Sequence, residues 1–304
     1  MTGTGTQADP YCPTTFSELT SVIGTQGYYV KLTQDIDPND DPTYDTELNT
    51  SLDIKCKLYS EEGHRYAIKN VCINAQYAIY IYYATITNVD FKNFIHRKND
   101  STSSLWFQTS NINNCKFSLN MICSTYDECF AYADSAYCKN CAFNVHFESS
   151  ASTSSNSKYS GLIMGNGGTN VQYFQNCNFI FDNLFINTSS SSTNSYLINN
   201  SNIIDHCMFL FDKPRISYSG TNYIINITYS STKSCYFALH QPIYVQTGSS
   251  GLILKFVTGS VSQNNLFAYD PETSSDIKVQ GNVTMITLDQ LKDRAYLKSI
   301  GFLP

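Results

Sequence analysis

Between residues 86 and 270 the chain returns to one short phrase: an apolar residue, one or two polar residues, a Cys, any residue, then Phe. Its copies are Ile112-Asn113-Asn114-Cys115-Lys116-Phe117, Lys139-Asn140-Cys141-Ala142-Phe143, Phe174-Gln175-Asn176-Cys177-Asn178-Phe179, Ile204-Asp205-His206-Cys207-Met208-Phe209 and Lys233-Ser234-Cys235-Tyr236-Phe237. Ile86-Thr87-Asn88-Val89-Asp90-Phe91 and Val261-Ser262-Gln263-Asn264-Asn265-Leu266-Phe267 are weaker copies without the Cys. From Phe to Phe the intervals are 26, 26, 36, 30, 28 and 30 residues. A recurrence of this length marks a solenoid, in which one unit cannot bury its apolar face alone.

Cys and Phe stand two apart in each copy, so on a strand they face the same way. Phe143, Val145 and Phe147 extend that alternation, as do Phe179 with Phe181 and Phe209 with Phe211. A helix would space its apolar residues by three and four. The pattern predicts an all-β chain, a right-handed parallel β-helix over 61–270. The inward ladder is Cys115, Cys141, Cys177, Cys207 and Cys235 with Phe117, Phe143, Phe179, Phe209, Phe237 and Phe267. Loops absorb the unequal spacing, because lengthening a loop adds little closure entropy. The widest interval contains Ser149-Ser150-Ala151-Ser152-Thr153-Ser154-Ser155-Asn156, a loop composition.

The residue before each Cys is Asn114, Asn140, Asn176, His206 or Ser234, and Asn264 holds the same place in the last copy. Small amides tolerate left-handed backbone and can hydrogen-bond from coil to coil, which predicts a structural spine. Asp182, Asp212 and Asp270 each follow a Phe by three and mark where the strand turns outward.

The ends differ from the middle. Residues 1–60 read as an N-terminal cap or attachment segment, with Thr14 or Thr15 capping a short helix Phe16–Ile23, Glu18 placed for a capping box, and a strand from Tyr28. A helix over the first coil would cover its open edge. Tyr77–Tyr83 is apolar on both faces, so either one face is covered or its hydroxyls reach water. Residues 271–304 form a C-terminal cap or docking segment. Its helix is expected to start after Thr287, carry Leu288, Leu291 and Ala295 on one face, and end at Gly301.

Composition narrows the function classes. Only 14% of the 304 residues are charged while 14% are aromatic, which fits polar solenoid turns and argues against disorder. A net charge of −6 without a basic run argues against nucleic acid. No apolar run reaches the length of a membrane span, and the first residues lack a secretory pattern. The Asn-x-Ser/Thr sites at Asn187, Asn226 and Asn282 then read as ordinary turn and strand chemistry. Eleven Cys, five of them on one ladder position, read as reduced core residues folded in a reducing cytosol.

Motifs of chemistry are sparse. Cys138-Lys139-Asn140-Cys141 is a C-x-x-C with Cys123 and Cys129 upstream, but a structural zinc site needs a second knuckle or a His pair, and Cys141 belongs to the ladder. The five His show no ligand spacing. Gly165-Asn166-Gly167-Gly168 lacks the Lys-Ser/Thr of a phosphate cradle, and no G-x-S-x-G elbow occurs. Glu148, Asp182, Asp205, Asp212 and Asp270 are the acids within the coils; a glycosidase needs two of them at a set separation, and nothing in the sequence singles out a pair. No catalytic residue, metal or cofactor is expected.

The phrases Gly3-Thr4-Gly5-Thr6-Gln7-Ala8-Asp9-Pro10-Tyr11, Phe16-Ser17-Glu18-Leu19 and Tyr29-Val30-Lys31-Leu32-Thr33-Gln34-Asp35-Ile36-Asp37 resemble β-helix proteins of tailed bacteriophages. So does the closing Gln290-Leu291-Lys292-Asp293-Arg294-Ala295-Tyr296-Leu297-Lys298-Ser299-Ile300-Gly301-Phe302. The resemblance covers both ends and the texture between them. It implies a non-enzymatic virion component, a head decoration or fibre or a tail part, assembled in the host cytoplasm. Its partners would then be other virion proteins of the capsid or tail, with self-association open and no coiled-coil heptad to drive it. Two alternatives stand beside it: a receptor- or glycan-binding module facing a host-surface glycan, and a polysaccharide depolymerase.

Overall fold

The computed structural model describes residues 1–44, 47–74, 76–98, 103–123, 128–149, 160–164, 173–188, 198–200, 203–218, 225–227, 231–241, 244–246, 252–256, 261–270 and 278–303. The chain winds as a parallel β-helix. One coil shows the plan: Asn111–Asn113 lies on a first face, Lys116–Cys123 on a second and Glu128–Asp134 on a third, and Tyr137–Lys139 returns to the first. The first face stacks nine strands from Tyr29–Leu32 to Val261–Gln263 and the third nine from Leu52–Ile54 to Lys278–Gln280; the second runs from Tyr66–Lys69 to Val283–Thr287. A short fourth face pairs Phe185–Thr188, Arg215–Tyr218 and Tyr244–Gln246. The named strands pair in parallel with the coils before and after them.

Register places the predicted ladder inside. Phe91, Phe117, Phe143, Phe179, Phe209, Phe237 and Phe267 pair directly, one per coil. All are buried. Their rings stack at 4.7–5.0 Å from Phe91 to Phe237, within 8° of parallel. That spacing is the separation of neighbouring strands, so the backbone step itself sets the ring stack.

Corners are made by left-handed residues. Asn88, Asn114, Asn140, Asn176, His206, Ser234 and Asn264 have φ between 51° and 58° and turn the chain from the first face to the second. The third-to-first corner uses Tyr83, Thr109 and Ser135, each followed by a buried small residue, Ala84, Ser110 and Ala136. Asn183, Lys213 and Gln241 open the fourth face in the same conformation.

Helix Phe16–Ile23 buries Phe16, Leu19, Val22 and Ile23 in the main core, with Thr15 accepting from the Glu18 amide as N-cap. Glu18 reaches back to the amide and hydroxyl of Thr14, one residue before the cap. The amide of Lys55 donates to the Ile23 carbonyl, so the helix sits on the edge strand of the third face. Parallel pairing begins earlier than residue 61, with Tyr29–Leu32 on Lys57–Ser60 and Leu52–Ile54 on Ile79–Tyr82. It also runs past 270, to Lys278–Gln280 and Val283–Thr287. These outer coils carry no Cys-x-Phe phrase, yet Val30, Leu32, Leu52, Ile54 and Leu58 fill the interior.

The C-terminal segment departs from one continuous helix. Leu288–Lys292 and Arg294–Ser299 are separated at Asp293, whose carboxylate accepts from the amides of Ala295 and Tyr296 and starts a new helix. The capping box of Thr287 with Gln290 forms. Ala295 is exposed, and Leu297 is the buried residue. Leu297 packs with Ala238, Leu266, Ala268 and Ile286, a cluster separate from the main core. Those residues alternate with the inward Phe237 and Phe267, so the helices strap the outer side of the second face rather than lie across the axis of the last coil. Met285, paired with inward Phe267, is accordingly 38% exposed.

Candidate functional site

The predicted ladder is a structural column. The thiols of Cys115, Cys141, Cys177, Cys207 and Cys235 are free and buried. Each donates to a carbonyl of the preceding coil, of Ile86, Ile112, Cys138, Phe174 and Ile204 respectively, at 3.5–3.7 Å. Burial pushes the Cys115 thiol up to about 12. In the last copy Asn265 occupies the Cys position, buried, and accepts the amide of Cys235 at 3.0 Å. The amide spine forms only in part: Asn114 donates to Asn88 at 2.7 Å and Asn176 to Asn140 at 3.2 Å, while Asn140 donates to Asn113 instead of Asn114. His206 instead bonds Asp205, at 2.6 Å.

The C-x-x-C is split. Cys138 points into the core from the first face, between Ile112 and Phe174, while Cys141 lies at the corner. The side chains of Cys123 and Cys129, and Gly165-Asn166-Gly167-Gly168, lie outside the described residues. Among the described residues no three His, Cys, Asp or Glu converge as a metal site.

The outer side of the second face carries chemistry that sequence reading did not assemble. The residue three after each ladder Phe is Asn120, His146, Asp182, Asp212, His240 and Asp270 in turn. Register lays Asn120, His146, Asp182, Asp212 and His240 in one row, one per coil. His146 Nδ1 lies 2.7 Å from Asp182 Oδ2, and His240 Nδ1 lies 2.6 Å from Asp212 Oδ1. The two carboxylates are thus direct neighbours, each held from the far side by an imidazole. Their side chains are 38% and 25% exposed, so both reach solvent. Asp182 Oδ1 is shut from solvent without a hydrogen-bond partner.

A hollow flanks the pair at each end. One is lined by Asn93, Ser118, Asn120, Asn144, His146 and Asp182. The other is lined by His240, Gln241, Asp270, Asp289 and Lys292, so the C-terminal strap forms its wall. Glu148 stands beside the row, with Asn120 donating to it at 3.4 Å. Asp205 lies on the first face, bonded by Gln175 and His206, and takes no part. The signal for the row was its constant offset from the ladder Phe, seen at Asp182, Asp212 and Asp270 but not extended to the two His.

Aromatics gather on the third face. In strand Ile79–Tyr82, Ile79 and Ile81 are buried and Tyr80 and Tyr82 face out, which separates the two sides of the Tyr-rich stretch. Tyr80 packs on Tyr82 at 5.2 Å and on Trp106 at 6.2 Å, and Lys55 lies over the Tyr82 ring.

The row sets the carboxylates of Asp182 and Asp212 side by side, each bonded by an imidazole from its outer side. No protein-family model matches this chain, and no curated protein is similar enough to count as a relative.

Proposed function

We propose that the protein is a structural component of a tailed-bacteriophage particle, a stiff β-helical body that decorates the capsid or tail. The observation that carries this reading is where the phage-like phrases fall. They make up the two end pieces of the fold, while the coils between them repeat. At the N-terminus Tyr29 donates to the Gly5 carbonyl, and Tyr11 bridges to both Tyr29 and Lys31. Gly3 and Gly5 have positive φ, and a side chain on Gly3 would strike the Pro10 carbonyl. At the C-terminus the phrase forms the strap on the second face. Distinct end pieces on a repeating solenoid suit a particle component, because attachment resides at the ends. Free interior thiols suit assembly in a reducing cytosol.

Particles purified from the producing host, labelled with antibody for electron microscopy and digested for peptide mass spectrometry, test the reading. Regular labelling over the shell or tail supports it. Absence of the protein from the particles overturns it.

A further inference from the structure

Four lysines without an acidic partner share the first face, and we propose that this face docks an acidic segment of a partner protein, gripped in a hollow at its N-terminal end. The strands of the face carry Lys31, Lys57, Lys139 and Lys233 against a single acid, Asp205, in a chain of net charge −6. Lys31, Lys57 and Lys139 stand next to the buried Val30, Leu58 and Cys138 and so point outward, and Lys233 is exposed. Asp205 is already held by Gln175 and His206. Among the described residues no carboxylate lies within ion-pair reach of these four Lys, whereas Lys55, Lys69, Lys92, Lys213 and Lys292 each meet one.

The hollow has a volume of about 500 Å³; Gln7, Tyr29, Lys57, Thr85, Thr87 and Asn88 line it, and no acid does. Lys57 Nζ donates to the Tyr29 hydroxyl at 2.5 Å and lies 4.3 Å from the centre of that ring. The ammonium is thus held in place while its charge stays uncompensated. The Thr85 and Thr87 hydroxyls have no hydrogen-bond partner among the described residues, and Asn88 uses only its side-chain oxygen, accepting from Asn114. A fixed cation and three idle donors around one hollow are complementary to a carboxylate.

Spacing favours protein carboxylates over phosphates. By register Lys31, Lys139 and Lys233 share one column, four coils and then three coils apart, or about 19 and about 14 Å at the usual strand spacing. Such sparse single charges match carboxylates scattered over a folded surface. Nucleic acid packs its charges far closer and recruits the Arg fork, and these strands hold no Arg. Tyr29, Tyr59, Tyr137 and Tyr173, on outward positions of the same strands, add the aromatic contact area of protein interfaces. The inference does not rest on the virion reading, since the free protein carries the whole face.

The test titrates labelled polyglutamate with the full chain by fluorescence anisotropy, with oligothymidylate, polygalacturonate and phosphatidylglycerol vesicles as rival polyanions. Salt-sensitive binding of polyglutamate is expected, weakened about tenfold or more in Lys57→Gln with Lys139→Gln and Lys233→Gln. It should be unchanged in Lys116→Gln with Lys298→Gln, exposed cations elsewhere on the surface. A carbodiimide, which joins an amine to a touching carboxylate, is expected to link wild-type Lys57 to polyglutamate ahead of Lys116, as read by peptide mass spectrometry. That readout keeps the test valid if the triple variant fails to fold. No binding of polyglutamate, tighter binding of any rival, equal binding by the triple variant, or links at Lys116 as frequent as at Lys57 would each overturn the proposal. Presence or absence on particles bears only on the virion reading.

Discussion

The side-chain amide of Asn114 donates to Asn88 one coil back at 2.7 Å, and both residues hold left-handed backbone, with φ of 52° and 58°. Arg65 adds a bond to the Asn114 oxygen at 3.0 Å. The same residue type thus meets two demands at once, a backbone conformation that most side chains avoid and a bond along the stack. Asn114→Ala is expected to lose about 2–3 kcal/mol, summing a left-handed penalty of roughly 1–2 kcal/mol and a hydrogen bond of about 1 kcal/mol. Asn114→Gly keeps the conformation and should lose clearly less. Urea midpoints compare them; equal losses would show that the backbone angle is not what Asn114 supplies.

Ring stacks inside and outside the solenoid should differ sharply. Phe179 is wholly buried between Phe143 and Phe209. Phe179→Ala is expected to cost about 3–5 kcal/mol. Tyr137 stacks as closely on Tyr173, at 4.8 Å, but is 40% exposed. Tyr137→Ala should stay within about 1.5 kcal/mol. Chemical unfolding of the two variants side by side checks the contrast.

The buried thiols make the fold sensitive to alkali. Burial pushes Cys56 and Cys115 up to about 12. Unfolded thiols titrate near about 8.5. Between those values the unfolded chain has released protons that the folded chain retains, so stability falls as pH rises. It is intact below about pH 8.5 and declines by up to about 1.4 kcal/mol per pH unit for each such thiol. Urea midpoints from pH 7 to 11 should show the decline, and a flat profile would refute it. At pH 7.5 a maleimide should label the half-buried Cys12 well before the ladder thiols, as read by peptide mass spectrometry.

The C-terminal strap should be separable from the solenoid. Leu297→Asp places a carboxylate in the apolar cluster of Leu266, Ala268 and Ile286. Hydrogen exchange is expected to rise at least tenfold over 288–303, while the strand Met208–Asp212 keeps its protection. Equal loss of protection in both would mean that the strap is integral to the coils.

Sequence pattern exposed the interior better than the surface. The Cys and Phe positions were legible because burial demands the same residue type in every coil. The first coils were not, since Val30, Leu52 and Leu58 do the same work without the repeated phrase. Tyr83, Thr109 and Ser135 share a corner but not a size or shape, so backbone geometry is what relates them. Asp293 reads as an ordinary exposed helix residue until its carboxylate is seen to cap the next helix. His146 and His240 lie in distant parts of the chain, and only coil register brings them to either side of Asp182 and Asp212.

Coil stacking also makes length an independent variable. Nine strands on a face advance the body by about 38 Å at the usual strand spacing. The helix at Phe16–Ile23 is bonded to the first coils through the Lys55 amide, and Leu297 packs with Leu266, Ala268 and Ile286 of the last ones. Duplicating a middle coil would lengthen the molecule by about 4.8 Å while both ends keep their own contacts. The fold is therefore a ruler whose graduations are single coils, and its reach can change in fixed steps without redesign of either tip.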